Sequence, residues 1–276
     1  MKKVLAGNPA NGDRPLELAT LAERKSAIAD MTVHNKRQAV VNRAYFDDCG
    51  VLVINLMSSP GAGKTALLEA TIDALKDEFS MAVIEGDVET ENDARRIRAK
   101  GVPALQITTG GMGHLDAAMV CDAMHHLAPE GRDILFIENI GNLVSPADFD
   151  LGQHCSVTLL SVPEGDDKFA KYPKIFRAAD LVLLTKTDML HFMRDFSPRR
   201  AEQGLRALGS TVPLLGLSAR DGGGLDIWFN WLRREVAAHR ARLALDDAED
   251  LTLQPSAARG LSAAPDSGPL RHAAAG

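Results

Sequence analysis

Two residues that can act on phosphate, Lys64 and Thr65, end a glycine-rich stretch that begins at Ser58. The stretch matches G-x-x-x-x-G-K-[ST] except that Ser58 stands at the first glycine. Lys64 would reach the β- and γ-phosphates of a nucleotide, and the Thr65 hydroxyl would bind Mg²⁺. Backbone N–H groups of the loop and of the helix that it opens favour an anion. The predicted phosphate-binding residues are Gly61, Ala62, Gly63, Lys64, Thr65 and Ala66.

Two acidic residues come at or near the ends of other short apolar runs. Asp87 is the last residue of the apolar run at 81–87, and Glu138 lies near the end of the run at 133–139. We expect both carboxylates in the Mg²⁺ shell, directly or through water, and together with Lys64 they form the predicted catalytic set. Gly141 would donate its N–H to the γ-phosphate. The plainer alternative for Glu138 is a carboxylate that caps a helix or a turn.

A third motif, Thr185-Lys186-Thr187-Asp188, resembles the guanine-reading sequence N-K-x-D, with Thr185 in place of the asparagine. Asp188 would accept hydrogen bonds from guanine N1–H and the N2 amine, while Lys186 would lie along the ring. Ser218 and Ala219 follow the next apolar run, and the Ala219 N–H would contact guanine O6. The alternative is a solvated lysine and aspartate in a turn.

Seven short apolar runs alternate with helical patterns, which is typical of βαβ units. The runs lie within residues 51–57, 81–87, 104–109, 133–139, 155–162, 180–185 and 212–217. We predict an α/β fold, a three-layer P-loop NTPase domain with a mostly parallel sheet flanked by helices. Ligands of such a sheet bind at the carboxyl ends of its strands, where the candidate residues and His114 all fall.

Helical patterns near both ends of the chain set the predicted domain boundaries. Residues 16–46 predict one or two amphipathic helices, and residues 225–243 predict a last one. Between them, Ser197 and Gly209 bound a helix predicted over residues 198–208. We expect three regions: a partly disordered leader at 1–28, a GTPase domain with its N-terminal helix at 29–244, and a disordered tail at 245–276.

Composition limits the choice of partner and compartment. A net charge of −6 does not favour a nucleic-acid binder. The three widely spaced cysteines, Cys49, Cys121 and Cys155, fit a reducing compartment better than a disulfide framework. No signal-peptide core and no run of membrane-spanning length is apparent. We therefore expect a cytoplasmic protein that binds neither nucleic acid nor membrane.

Several motifs, in order, resemble the HypB family of hydrogenase nickel-incorporation GTPases. They are residues 56–68, Glu85-Gly86-Asp87, residues 113–117, residues 136–144, and residues 164–168 with Lys171-Tyr172-Pro173. The resemblance covers roughly residues 30–240 and implies a SIMIBI-class GTPase that uses GTP and Mg²⁺ and forms a GTP-dependent homodimer. It also implies nickel delivery to [NiFe]-hydrogenase together with a HypA-type nickel metallochaperone, the hydrogenase large subunit and SlyD.

The chain departs from that family at the expected transition-metal site. HypB proteins usually carry a Cys-His pair and a later cysteine, where this chain has Gly113-His114 and Ser145. Without thiolates, His114 alone would hold Ni²⁺ or Zn²⁺ weakly, at a degenerate site. Cys121 and His125 form an i,i+4 pair on a predicted helix, although a buried cysteine beside an exposed histidine is the favoured interpretation.

Other functions stay open at this point. One is a GTP-controlled docking protein that has lost metal handling, and another is a maturation GTPase for a different metalloenzyme. A MinD-type ATPase is disfavoured because those proteins carry a second lysine early in the loop, where this chain has Ser59.

Overall fold

A computed structural model describes residues 21–253, with side chains described for residues 31–248, and contains a seven-stranded sheet. The strands are β1 Leu52–Ser58, β2 Met81–Asp87, β3 Ala104–Thr108, β4 Ile134–Gly141, β5 Cys155–Ser161, β6 Leu181–Thr185 and β7 Leu214–Gly216. Their order is β3-β2-β4-β1-β5-β6-β7, and every neighbouring pair is parallel. The predicted α/β fold is confirmed, and each of the seven apolar runs forms a strand.

Helices cover both faces of this sheet. They are α1 Leu21–Asp48, α2 Lys64–Leu75, α3 Asn92–Ala99, α4 Ala117–Leu127, α5 Lys168–Lys171, α6 Pro173–Arg177, α7 Pro198–Ala207 and α8 Leu225–Leu253. Ile54 of β1 packs in the cluster formed with α2, α3 and α8, whereas its neighbour Val53 packs in the cluster formed with α1 and α4. Because both faces are buried, the strands read as continuous apolar runs instead of alternating ones.

A comparison of two helix ends shows which boundaries the local sequence predicts correctly. The side chain of Ser197 accepts the Arg200 N–H at 3.3 Å, so the predicted helix begins as expected. The last helix was predicted to end at residue 243, and this was wrong because α8 continues to Leu253. Arg242 pairs with Asp246 one turn later at 3.1 Å, which supports the extension.

The terminal regions are only partly described. Most of the predicted leader (residues 1–20) and most of the predicted tail (residues 254–276) lie outside the described residues, so the domain boundaries stay predictions. Within the described part of the chain, no helix combines the length and the apolar character needed to cross a membrane.

Candidate nucleotide-binding site

A cavity of about 570 Å³ opens at the carboxyl ends of β1, β2 and β4. The loop between β1 and α2 forms one wall, and the ends of β2 and β4 form the other. Gly63, the last residue before α2, has a φ of 102°, a conformation that side chains with a Cβ rarely adopt. The first residues of α2, Lys64, Thr65 and Ala66, line the cavity, and the N–H groups of a helix's first turn have no partner within the helix, as a phosphate-binding loop requires.

Ser58, the departure from the loop consensus, has a structural role. Lys64 Nζ donates to Ser58 Oγ at 3.1 Å, and the Ser58 hydroxyl donates to the carbonyl of Ser59 at 2.7 Å. The buried serine therefore holds the lysine amine at the cavity. The substitution at the first glycine adds a hydrogen-bond acceptor for Lys64.

Glu138 meets the phosphate loop at the base of the cavity. The Thr65 hydroxyl donates to Glu138 Oε1 at 3.0 Å, and Lys64 Nζ lies 3.8 Å from the same oxygen. Glu138 is 5% exposed, and its Oε2 has no hydrogen-bond partner among the described residues. A buried carboxylate oxygen without a partner is costly, and it is the type of ligand that Mg²⁺ prefers.

A second buried acid, Glu85, lies beside Glu138 because the two residues are register partners across β2 and β4. Burial, reinforced by the Glu138 charge, raises the pKa of Glu85 to about 10. Burial also raises the pKa of Glu138, but the Lys64 ammonium and the Thr65 hydrogen bond oppose this shift. At neutral pH, Glu85 therefore keeps its proton.

Asp87 lies on the cavity wall, but its carboxylate is bonded to its own loop. It accepts from the N–H of Val88 at 2.5 Å and from the hydroxyl of Thr90 at 2.7 Å. At the end of β4, a Cβ on Gly141 would come within 2.8 Å of Pro60 Cα, so glycine is required for the close approach to the phosphate loop. The roles of Asp87 and Gly141 toward metal and phosphate stay predictions.

A second cavity, of about 280 Å³, adjoins the first. The predicted base-reading residues all line it, namely Lys186, Asp188, Ser218 and Ala219. Asp188 Oδ1 accepts from the Ser218 hydroxyl at 2.9 Å, which fixes the carboxylate at the edge of the cavity. Gly63, Ala66 and Lys186 line both cavities, so the two cavities lie side by side and share part of their walls.

Two hydrogen bonds join the base-reading loop to the phosphate loop. The Thr185 hydroxyl donates to the Ala62 carbonyl, and Lys186 Nζ donates to the Gly61 carbonyl, both at 2.6 Å. Thr185 is 3% exposed, so its hydroxyl has a buried partner in the position where the consensus has asparagine. The departure at Thr185 thus keeps the two loops connected.

His114 lies apart from these cavities, in a cluster with Gly113 and Ser145. Its ring stacks on Phe149 with centroids 3.9 Å apart, and burial lowers its pKa. The Asn142 amide donates to the Gly113 carbonyl at 2.9 Å and to Ser145 Oγ at 3.0 Å. The two positions where HypB cysteines were expected therefore face each other, but a hydrogen-bonded asparagine side chain joins them.

The other group with metal-ligating side chains lies at the opposite end of the sheet. Asp47, His154 and His239 bring candidate ligand atoms within 4.8 Å of one another. His154 Nδ1 accepts the Val53 N–H at 2.9 Å, so Nε2 holds the proton and donates to Asp47 at 3.0 Å. Arg242 donates to His239 Nδ1 at 3.3 Å, so His239 is also protonated at Nε2. Both ring nitrogens of His154 are hydrogen-bonded, so the cluster forms a junction between helices α1 and α8 and the start of β5, whereas His239 Nε2 has no hydrogen-bond partner among the described residues.

Sequence reasoning missed the contributions of Glu85 and Glu164. The sequence could have indicated a role for Glu85, because a glutamate is rarely buried within an apolar strand unless it has a partner. Glu164 accepts from the Ser59 hydroxyl and from the Ser161 N–H, the latter at 2.7 Å, and so anchors the start of the phosphate loop. No local pattern indicated that contact, since the two partners lie 105 residues apart.

The fold and the two adjoining cavities define a P-loop nucleotide-binding protein. Residues 52–211 match the family described as CobW/HypB/UreG, nucleotide-binding domain. The chain belongs to this family, and within it to the HypB hydrogenase maturation factors.

Relatives and solved structures support this assignment. The hydrogenase maturation factor HypB of Escherichia coli K12 is 48% identical over 209 residues, which cover 76% of this chain and 72% of the relative. HypB of Azotobacter chroococcum mcd 1 is 48% identical over 215 residues, covering 78% and 70%. The crystal structure of HypB from Helicobacter pylori in complex with nickel is 40% identical, with a TM-score of 0.71, and the match covers 75% of this chain and 97% of that one. HypB from Archaeoglobus fulgidus gives 34% identity and a TM-score of 0.69, covering 74% and 99%.

Proposed function

We propose that the chain binds GTP, hydrolyses it slowly with Mg²⁺, and uses this cycle to assist nickel insertion into a [NiFe]-hydrogenase. The observation that carries the proposal is that the two cavities adjoin and share lining residues. Lys186 lies on the walls of both, with the phosphate loop to one side and Asp188 to the other. The maturation role rests on the HypB relatives, whose names state it.

In this proposal the phosphate end positions the triphosphate. Lys64 would contact the β- and γ-phosphates, and Gly141 would donate its N–H to the γ-phosphate. Thr65, Glu138 and Asp87 would hold Mg²⁺, for which the unpartnered Glu138 oxygen is a suitable ligand. When bound, Mg²⁺ offsets the charge of the phosphate oxygens.

The base end would select guanine. Asp188 would accept from N1–H and the N2 amine, the Ala219 N–H would contact O6, and Lys186 would lie along the ring. Adenine has no donor at N1 and no N2 amine, so it would leave the carboxylate unpaired at a cost of roughly 1–3 kcal/mol. That cost corresponds to about a 5- to 150-fold preference for GTP.

Assembly and partners follow from the family. We propose a GTP-dependent homodimer that works in the cytoplasm with a HypA-type nickel metallochaperone, the hydrogenase large subunit and SlyD. Cys49, Cys121 and Cys155 are free thiols, which fits a reducing compartment. Light scattering should give twice the mass with a non-hydrolysable GTP analogue that it gives with GDP. Equal masses would contradict the dimer.

The maturation role can be tested in cells. Expression of the chain in an Escherichia coli strain that lacks its own HypB should restore nickel-dependent hydrogenase activity. Lys64→Ala should not restore it, whereas Lys76→Ala, an exposed lysine just beyond α2, should. If the wild type is well expressed and hydrolyses GTP but restores no activity, the maturation role is contradicted and the GTPase assignment is not.

One observation favours a second candidate, a GTP-controlled docking protein without metal handling. Asn142 fills the space between Gly113 and Ser145, and a Cβ on Gly113 would lie 2.7 Å from the Asn142 amide nitrogen. On either candidate we propose weak nickel or zinc binding, through the two His114 rings of a dimer. The docking candidate predicts that loss of this binding does not affect hydrogenase activity.

Calorimetric titration of Ni²⁺ and Zn²⁺ under reducing conditions tests the degenerate site that both candidates share. His114→Ala should abolish weak binding. Gly113→Cys with Ser145→Cys should recover affinity in part, and a further Asn142→Ala change should raise it again by removing the clash. Tight stoichiometric binding by the wild type that survives His114→Ala would contradict the degenerate site and point to Cys121 and His125.

A further inference from the structure

One cation on the wall of the larger cavity comes from outside the two nucleotide loops. Three cationic side chains line this cavity within the described residues: Lys64, Lys186 and Arg96. Lys64 belongs to the phosphate loop, and Lys186 is hydrogen-bonded to that loop. Arg96 belongs to α3, which begins after the loop that follows Asp87. The motifs therefore explain two of the three cations and leave Arg96 unexplained.

Carboxylates hold the Arg96 guanidinium in this structure. Its Nε and Nη2 donate to the two carboxylate oxygens of Glu69, at 3.1 and 2.7 Å, and Nη1 donates to Asp93 at 3.0 Å. Glu69 lies on α2, one turn after Thr65, and Asp93 lines the same cavity as Arg96. The arginine is thus fixed at the boundary between the phosphate-loop helix and the cavity.

The Arg96 contacts lie where solvent and a ligand can reach them. The Arg96 side chain is 45% exposed, and those of Glu69 and Asp93 are 24% and 39% exposed. Because all three side chains are partly exposed, water screens the attraction between these charges. A phosphate group with more negative charge accepts the same bidentate guanidinium contacts and makes stronger charge-assisted hydrogen bonds.

We propose that Arg96 leaves Glu69 and Asp93 and contacts the γ-phosphate of bound GTP, so that it acts as a catalytic arginine supplied within the same chain. This inference rests on the proposed GTPase function. In the reaction, a water oxygen forms a bond to the γ-phosphorus while the bond from that phosphorus to the β–γ bridging oxygen breaks. The electron pair of that bond leaves with GDP, and the water proton passes to the phosphate product or to solvent. Arg96 would stabilise the negative charge on the transferred phosphoryl oxygens.

The alternative is that Arg96 has only a structural role, in which its ion pair with Glu69 holds α3 against α2. The two alternatives predict different hydrolysis rates for Glu69→Gln, a variant that weakens the ion pair between α2 and α3 but retains Arg96. If Arg96 acts on phosphate, Glu69→Gln should keep hydrolysis at or above the wild-type rate. If the role of Arg96 is only structural, GTP hydrolysis should be slowed to the same extent in Glu69→Gln and in Arg96→Ala.

The experiment measures single-turnover GTP hydrolysis with Mg²⁺, and affinities for GDP and for a non-hydrolysable GTP analogue. Arg96→Ala should slow hydrolysis by at least about 100-fold, and Arg96→Lys should recover part of the rate. Arg96→Ala should lower the affinity for the triphosphate analogue by about tenfold and leave the affinity for GDP unchanged. Unchanged GDP affinity also shows that the variant is folded. Arg95→Ala is the matched control, because Arg95 is an exposed arginine on the same helix that does not line the cavity, and it should match the wild type.

The outcomes separate this inference from the function on which it rests. Hydrolysis by Arg96→Ala at the wild-type rate overturns the inference and leaves the GTPase assignment intact. Equal impairment of Glu69→Gln and Arg96→Ala overturns it in favour of the structural role. A wild-type protein that neither binds nor hydrolyses GTP contradicts the proposed function itself.

Discussion

Both ends of the sheet carry ionisable side chains that could bind a metal, but the two ends differ in whether the acceptor atoms are hydrogen-bonded. At the amino end, Asp47, His154 and His239 resemble a metal site by composition. Their acceptor nitrogens are occupied, because His154 accepts from a backbone N–H and His239 accepts from Arg242. At the carboxyl end, Glu138 is buried, and its Oε2 has no hydrogen-bond partner in the described part of the chain.

This difference shows that residue type alone does not identify a binding site. A cation-binding site needs a buried acceptor that no hydrogen bond occupies, and Glu138 Oε2 provides one at the carboxyl end. A junction that stabilises the fold has its acceptors already paired, as the amino end does. The four predictions that follow test this comparison, beginning with the largest effect.

Removal of the charge at the phosphate end should have the largest consequence. Lys64→Ala removes the ammonium that contacts both Ser58 and Glu138, and GTP hydrolysis should fall by a factor on the order of 10²–10³. Thr65→Ala should also abolish Mg²⁺-dependent turnover, because it removes a metal ligand. Steady-state GTPase assays with Lys76→Ala as the control would check both. Wild-type activity in either variant would mean that the loop assignment is wrong.

A change at the base end should alter specificity while the fold is kept. Asp188→Asn retains an acceptor for the Ser218 hydroxyl but reverses the hydrogen bonding offered to the base. GTP affinity should fall by about tenfold or more, and xanthine nucleotides should be preferred. Competition binding with GTP and XTP measures this shift, with exposed Asp226→Asn as the control. Unchanged preference would remove Asp188 from the site.

The paired amino end should appear in the pH dependence of stability. Burial lowers the pKa of His154 from 6.5 to about 4, so the unfolded chain binds more protons between these values. Stability should therefore fall as pH decreases through this range, by about 2 kcal/mol between pH 7 and pH 5 from His154 alone. Urea unfolding should show this slope in the wild type and in exposed His125→Gln, and a smaller slope in His154→Gln. An identical slope in His154→Gln would contradict the buried neutral histidine.

The smallest expected effect concerns metal at the amino end. His239→Gln and Asp47→Asn should leave Ni²⁺ affinity within about twofold of the wild type, because both imidazoles of the junction are protonated at Nε2. Calorimetric titration at neutral pH measures this. The disappearance of a binding event in either variant would show that the junction binds metal, and the comparison between the two ends would fail.

The sequence predicted what depends on local pattern. The seven apolar runs and the turn residues after them fixed the strands, and parallel strands place their carboxyl ends at one edge. Non-local pairing was not predictable: Glu85 meets Glu138 only through the register of β2 with β4, and Arg96 could not be told apart from Arg95 or Arg98 by type. Ser58 appeared to weaken the loop motif, but its hydroxyl holds Lys64.

The central claim is that the adjoining cavities at the carboxyl end of the sheet bind a guanine nucleotide. The most direct test is equilibrium competition of GTP and ATP for the wild-type protein with Mg²⁺ present. The account predicts that GTP binds at least about fivefold more tightly, because adenine leaves the Asp188 carboxylate without its two donors. Equal affinity for the two nucleotides would contradict it.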